Sequence, residues 1–532
     1  VTAPPGPGQP GLLEACKKRF FLTKSSEDVE KDLTGKQHLK RVLGPLDVTT
    51  LGIGAIIGAG IFVLSGVAAR DYAGPAIIIS FIITAIACTI VAMCYAELAS
   101  MIPEAGSAYS YSYATMGELV AWLIGWDLIL EYSVGAIAVA VGWSGYINGL
   151  IKATTGSELP VALSAAPGSV PGAIINLPAM FIVLALTALL CIGVKESVTI
   201  NKIIVIIKLA IVIAFIVIGM TLINPANYQP FMPFGAAGVM TGAAIVFFAY
   251  IGFDAVATVA EEAKDPQRTM PIGIIASLVI CTVLYILVAA VLTGMVPINL
   301  IDVNEPLAGA FISHGIRWAS ALVAVGAIAG ITSVLLVSLL AQPRVFFALA
   351  RDGLLPKQFA KVHPKYNTPW FSTLIMGVII AVLAGITPIT TAAELTNIGT
   401  LFAFVLVCIG VVILRKRQPN RKRAFKAPLS GWPYPILPIA GVAFCIALMA
   451  SLPALTWIRF VGWMGAGLLI YSFYGYNKSV VAKRAAEAEN GKGAAVKEEA
   501  IVVKEEVKVE AVVVKEEVKV EAKSDGKEKG PG

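Results

Sequence analysis

Charge is scarce in this chain. Asp, Glu, Lys and Arg make up 14% of its 532 residues while apolar types reach 57%, above the roughly 45–50% usual for soluble domains, so water is not the only solvent it faces. Histidine is rarer still: His38, His314 and His363 stand far apart and outside the apolar runs, which leaves no histidine-centred metal or acid–base cluster. The seven cysteines keep no metal-ligand spacing and, Cys16 apart, sit inside apolar runs, where they read as small packing residues. A nucleophile elbow and a phosphate loop are both missing, and Gly52-Ile53-Gly54 follows no strand, so it is no dinucleotide turn. These absences argue against an enzyme and leave no cofactor or metal to expect. Residues 1–11, rich in Pro and Gly, lack the charged-then-apolar order of a cleavable signal, so the first helix is expected to act as its own insertion signal.

What is present is a series of apolar runs near the 20 residues that cross a hydrocarbon core. The pattern predicts an all-α membrane protein of about twelve transmembrane helices, at roughly 46–69, 75–99, 117–149, 176–194, 200–223, 236–260, 272–296, 318–350, 370–386, 394–414, 433–451 and 454–476. With the amino terminus inside, the inner loops hold Lys40, Arg41, Lys195, Lys202, Lys264, Arg268, Arg344, Arg351 and the cluster from Arg415 to Arg423, while Arg70, Lys152, Arg317 and Arg459 stay outside. Positive loops remain cytoplasmic, so both termini are expected there, and the net charge of +7 needs no nucleic acid to explain it. A plasma membrane is the default host, with an organellar membrane open. The expected division is a cytoplasmic segment 1–40, a transmembrane domain 41–478 and a charged tail 479–532. In that tail VVKEEVKVEA runs from Val502 to Ala511 and again from Val513 to Ala522, a low-complexity pattern that reads as disordered, with a segment that binds a cytoplasmic partner as the alternative.

Two spans carry glycine where a helix should be mid-membrane: Gly52-Ile53-Gly54-Ala55-Ile56-Ile57-Gly58-Ala59-Gly60 in the first and Phe247-Phe248-Ala249-Tyr250-Ile251-Gly252-Phe253-Asp254 in the sixth. Bare backbone amides are not tolerated in lipid, so unwinding there implies a cavity whose occupant satisfies them. Interrupted helices in corresponding places of two halves point to a transporter with inverted repeats, a half-helix amino terminus meeting an anionic group such as a carboxylate. The alternative is that Gly54 and Gly58 serve close helix packing. Ionisable residues at membrane depth, each costing roughly 2.5–3.5 kcal/mol on insertion scales, weigh toward the first reading: Asp127 and Glu131 share a face of the third helix, Lys208 lies on the fifth and Asp254 on the sixth. A structural bridge from Lys208 to a carboxylate is the alternative for these.

With Gly54 to Phe62, Gly125-Trp126-Asp127-Leu128-Ile129-Leu130-Glu131-Tyr132, Gly193-Val194-Lys195-Glu196-Ser197, Phe247 to Asp254, Glu261-Glu262-Ala263-Lys264-Asp265-Pro266 and Arg351-Asp352-Gly353-Leu354-Leu355-Pro356 all in order, residues 35–478 resemble the cationic amino acid transporters of the amino acid, polyamine and organocation (APC) superfamily. The resemblance implies a LeuT-type fold, a 5+5 inverted repeat plus two further helices. It implies that the amides of Ala59 and Gly60 hold the substrate carboxylate with Ile56 lining the pocket, and that the carbonyls of Phe248, Ala249 and Ile251 hold its amino group with the Phe248 ring as a gate. Some relatives carry Thr at the position of Ala59, whose hydroxyl is absent here. Glu131 matches a pocket carboxylate that meets a basic side chain, and the small Ser338 matches a position that leaves room for a long one. Lys208 matches a lysine of bacterial proton-coupled members where animal members have a neutral amide. Desolvation penalises the charged form of a lysine in apolar surroundings, which suits it to proton coupling.

The expected activity is thus proton-coupled uptake of cationic and some neutral L-amino acids by alternating access. The rivals are an exchanger of neutral amino acids and an amino acid sensor without net transport that signals through its tail.

Overall fold

The computed structural model describes residues 20, 22, 23, 43–102, 107–192, 198–361, 363, 369–431 and 433–484. Within them the chain is helical, and extended pairing is limited to two isolated bridges, Leu43 with Ala263 and Ser164 with Asn176. Most of the low-complexity tail and the expected segment 1–40 lie outside the described residues, as does the Gly193 to Ser197 motif.

The principal elements are α1 (Pro45–Ile56), α2 (residues 60–73), α3 (Ile77–Met101), α4 (Ala108–Thr115), α5 (Glu118–Thr155), α6 (Leu177–Ile192), α7 (Val198–Met220), α8 (Gly235–Val246), α9 (Ala255–Glu262, a 3₁₀ helix), α10 (Pro266–Met295), α11 (Pro306–Ser313), α12 (Arg317–Arg351), α13 (Trp370–Ile386), α14 (Ile389–Arg417), α15 (Ile436–Ala450) and α16 (Ala454–Ile470). Among the described residues eight helical stretches are long and apolar enough to cross a membrane, and four shorter apolar helices, α1, α6, α13 and α15, accompany them. The predicted run 370–386 coincides with α13, whereas the run 46–69 is two elements, α1 and α2. Two short helices, α4 and α11, went unanticipated because eight residues cannot form an apolar run of spanning length.

The helices sort by how much protein covers them. In α5, 83% of the spanning window is buried, against 22% in the stretch that begins with α16, so α5 is a central post and α16 a peripheral one. Phe181, Ile206 and Ile458 are each more than 60% exposed, as expected of side chains whose solvent is hydrocarbon. Peripheral α16 is held by indoles: Trp126 Nε1 donates to Trp463 O (3.0 Å), Trp463 Nε1 donates to Trp126 O (3.2 Å), and the two rings stack at 4.6 Å. At one end of the molecule the buried Glu97 of α3 accepts from Arg415 Nε (2.9 Å), from Arg423 Nε (3.2 Å) and from Ala427 N (2.9 Å). This carboxylate ties α3 to the end of α14 and the loop beyond it, and its charge is fully shared with donors, as burial requires.

Candidate functional site

The first break is sharp. After Ile56 the backbone of Ile57 turns extended (φ −74°, ψ 101°), and helix resumes at Gly60. The second lies between α8 and α9: a single 3₁₀ turn at Phe247–Tyr250 leads into extended Ile251, then Gly252 at φ +125°, whose amide donates to Asp254 Oδ1 (3.0 Å). The two breaks touch, and glycine is what permits it. A Cβ on Gly60 would stand 2.3 Å from Ala249 Cα, and one on Gly252 would stand 2.8 Å from the Ala55 carbonyl. Glycine at these points therefore serves the approach of two unwound backbones.

Unwinding strips carbonyls of their helical partners, and three buried side chains meet them. Lys208 Nζ, on α7, donates to Gly54 O (2.8 Å) and Ile57 O (3.0 Å). Tyr285 OH, on α10, donates to Ile56 O (2.9 Å). Asn397 Nδ2, on α14, donates to Ala244 O (2.7 Å), with Ile245 O at 3.4 Å. Lys208 is fully buried, its stem lies along Gly330, and it is braced by carbonyls, not by a carboxylate. Sequence reading found Lys208 because a charge in an apolar run stands out. It missed Tyr285 and Asn397, whose types are unremarkable within membrane helices.

Between the breaks is a cavity of about 60 Å³ lined by Ile56, Ala59, Gly60, Glu131, Phe248, Ile251 and Ser338, all anticipated from the sequence, together with Tyr132, Val139, Val334, Asp254 and Thr396. Ala249 is not in its wall; it packs on Gly60 instead. Lys208 reaches the same break from outside the cavity. No backbone carbonyl among the described residues accepts from the amides of Gly58 or Ala59, so donors are left at the amino end of α2, where the helix dipole favours an anion. Glu131 Oε1 has no described partner, and neither oxygen of Asp127 has one. Asp127 stays out of the cavity wall and faces Gly399 of α14.

The cavity's two ends differ. Tyr132 and Ala341 also line a second void, bounded by Ser107, Tyr109 and Arg344, beyond which Tyr109 OH donates to Asp352 Oδ2 (2.5 Å). In the other direction Tyr146 OH donates to Phe62 O (2.7 Å), with the two rings edge to face.

Broken helices that meet at a buried cavity, in a chain of apolar spanning helices, define a membrane carrier. The amino acid permease family profile matches residues 43–464. The methylthioribose transporter of Bacillus subtilis is 49% identical over 88% of this chain and 99% of its own length. The branched-chain amino acid permease BcaP of the same organism is 48% identical over 86% of this chain and 98% of its own, and a vacuolar cationic amino acid transporter of Arabidopsis thaliana is 39% identical over 73% and 65%. The chain belongs to the amino acid permease family of the APC superfamily: it is a membrane carrier of the amino acid permease type and not an enzyme.

Proposed function

We propose that the protein is a secondary active, proton-coupled carrier of L-amino acids, cationic and neutral, working by alternating access on a LeuT-type arrangement of twelve helices. The observation that carries this reading is the seating of Lys208 Nζ on Gly54 O and Ile57 O, at the same break that leaves the Gly58 and Ala59 amides, at the cavity lining, without carbonyl partners among the described residues. An ammonium there satisfies two carbonyls at once, and loss of its proton would remove the charge that strengthens both bonds and so loosen its hold on them. The proton carrier and the substrate site thus share one backbone segment. In this reading the amides of Ala59 and Gly60 take the substrate carboxylate, the carbonyls of Phe248 and Ile251 take the ammonium group, and Ala249 acts by keeping the breaks in contact.

The arginine and lysine distribution puts the Asp352 end in the cytoplasm with both termini. The void behind Tyr132 and Ala341 is then the inner exit, and Phe62 with Tyr146 is the closed outer side. A plasma membrane is the host in this reading, with an organellar membrane as the alternative. Residues 479–532 are read as a cytoplasmic tail that transport does not need.

For the side-chain subsite two features compete. Glu131 Oε1, unpartnered and buried, suits a cationic side chain, while Val139, Val334 and Val337 offer an apolar wall. The second reading is therefore a carrier of neutral substrates, favoured by that wall and by the substrates after which the two Bacillus relatives are named. Uptake into proteoliposomes of labelled arginine, leucine, alanine and methylthioribose, with and without an imposed pH gradient, tests both. Gradient-driven arginine uptake supports the first reading, and uptake of leucine or methylthioribose without arginine supports the second. Transport only against preloaded substrate would replace symport by exchange.

A further inference from the structure

The polar side chains that catch the two breaks form a matched pair. Lys208 bonds carbonyls 154 and 151 positions before it, and Asn397 bonds carbonyls 153 and 152 positions before it. In each case a residue of a later helix donates to the end of a half-helix just ahead of its unwound turn: α7 to α1, and α14 to α8. Near-identical chain separations are what an internal duplication of the same hydrogen bond produces, one copy ending in an ammonium and the other in an amide.

The difference between the copies is chemical. An ammonium that loses its proton loses its charge and much of its hold on the carbonyls, whereas a carboxamide is neutral and donates alike at every pH of interest. Asn397 is fully buried, and its Oδ1 finds no described partner. An orphan acceptor at that depth costs free energy that a leucine in its place would not, so packing does not account for the amide; its donor does. Ile398 and Leu401 beside it on α14 are equally buried and wholly apolar.

We infer that Asn397 is a positioning residue for transport, the proton-insensitive counterpart of Lys208: it pins the end of α8 so that the carbonyls of the second break stay set for the substrate ammonium while only the first break is released by proton movement. The two halves of the carrier would then divide the work, α1 with Lys208 acting as the switch and α8 with Asn397 as the fixed jaw.

The inference rests on the carrier reading, so the test begins with wild-type protein shown to accumulate its substrate in proteoliposomes; if it accumulates none, the carrier reading fails first and separately. With transport in hand, Asn397→Leu, which keeps the number and branching of heavy atoms and removes the donor, and Asn397→Gln, which retains one, are compared in the full chain. The leucine variant is expected to raise KM about tenfold, the loss of one buried hydrogen bond that matters to the bound state, while the accumulation ratio per unit of pH gradient stays as in the wild type. The glutamine variant is expected to recover part of KM. A leucine variant with lowered yield and melting temperature but unchanged KM would reduce Asn397 to a structural bond, and one that loses its response to the pH gradient would place it in the coupling machinery; either result overturns the proposal. If the leucine variant does not fold, Asn397→Ala, which also removes the donor, decides on the same two readouts: KM raised with coupling intact supports the proposal, and KM unchanged or the pH response lost overturns it.

Discussion

Replacing Lys208 by methionine removes a donor from the first break while keeping the length of the stem that lies along Gly330. Two hydrogen bonds are lost, at 2.8 and 3.0 Å, and the carbonyls of Gly54 and Ile57 are left in a buried site, each orphan worth about 1–3 kcal/mol. Against this, an ammonium no longer has to be desolvated, which offsets a comparable amount. The net effect on folding is expected to be small and the effect on coupling complete. With one proton moved per substrate, each unit of pH gradient is worth about 1.4 kcal/mol, a tenfold accumulation. Wild-type proteoliposomes should therefore gain about a factor of ten in steady-state accumulation per pH unit, and the methionine variant none, while still equilibrating substrate or binding it. Accumulation that rises with the gradient in Lys208→Met as steeply as in the wild type would refute the reasoning.

Three further outcomes follow from the geometry. Gly60→Ala places a methyl 2.3 Å from Ala249 Cα, so the breaks must part; uptake should be lost in protein that still reaches the membrane, whereas Gly462→Ala, with open space around it, should transport normally. Tyr285→Phe deletes the donor to Ile56 O and should weaken substrate binding by about 1–3 kcal/mol, read by calorimetry, with the response to the pH gradient retained. Glu305, in the loop ahead of α11, lies against Gly149 of α5 and is 9% exposed. Burial, with Asp302 adding to it and Lys152 opposing, pushes its carboxyl up to about 7. Because the folded loop holds the proton more tightly than a free side chain, this contact is strongest below the ordinary glutamate value near 4.5 and weakens as pH rises through about 7. The protection of amides in residues 298–316, with exchange rates taken relative to the intrinsic base-catalysed rate at each pH, should fall between pH 5.5 and 8 by an amount on the order of 1–2 kcal/mol after allowing for water at the surface, and Glu305→Gln should abolish that fall.

What the sequence disclosed and what it hid have the same cause, the contrast of a residue with its surroundings. Gly58, Gly60 and Gly252 stood out because helices in lipid have little use for bare backbone, and Lys208, Glu131 and Asp254 because charge at that depth is costly. These residues converge on one break-centred site. Ser338 and Phe248, ordinary in composition, were reached only through resemblance, and they line the cavity as well. Tyr285 and Asn397 gave no signal, since a lone tyrosine or asparagine in a membrane helix is as often a packing or helix-pairing residue. Ala249, named through the resemblance for its carbonyl, packs on Gly60 outside the cavity lining, a close contact that only three dimensions disclose. The node of Glu97 with Arg415 and Arg423 was invisible for the same reason: its partners lie 318 and 326 positions away, and the arginines alone read as an inner-loop charge cluster.

The central claim is that the amides at Ala59 and Gly60 and the carbonyls at Phe248 and Ile251 together grip the two ends of an amino acid. An experimental density map of the full chain with a transported amino acid bound tests it most directly. The account predicts density for the carboxylate within hydrogen-bonding distance of the Ala59 and Gly60 amides and for the ammonium group at the second break. A substrate seated elsewhere, with α1 and α2 running on as one unbroken helix, would contradict it.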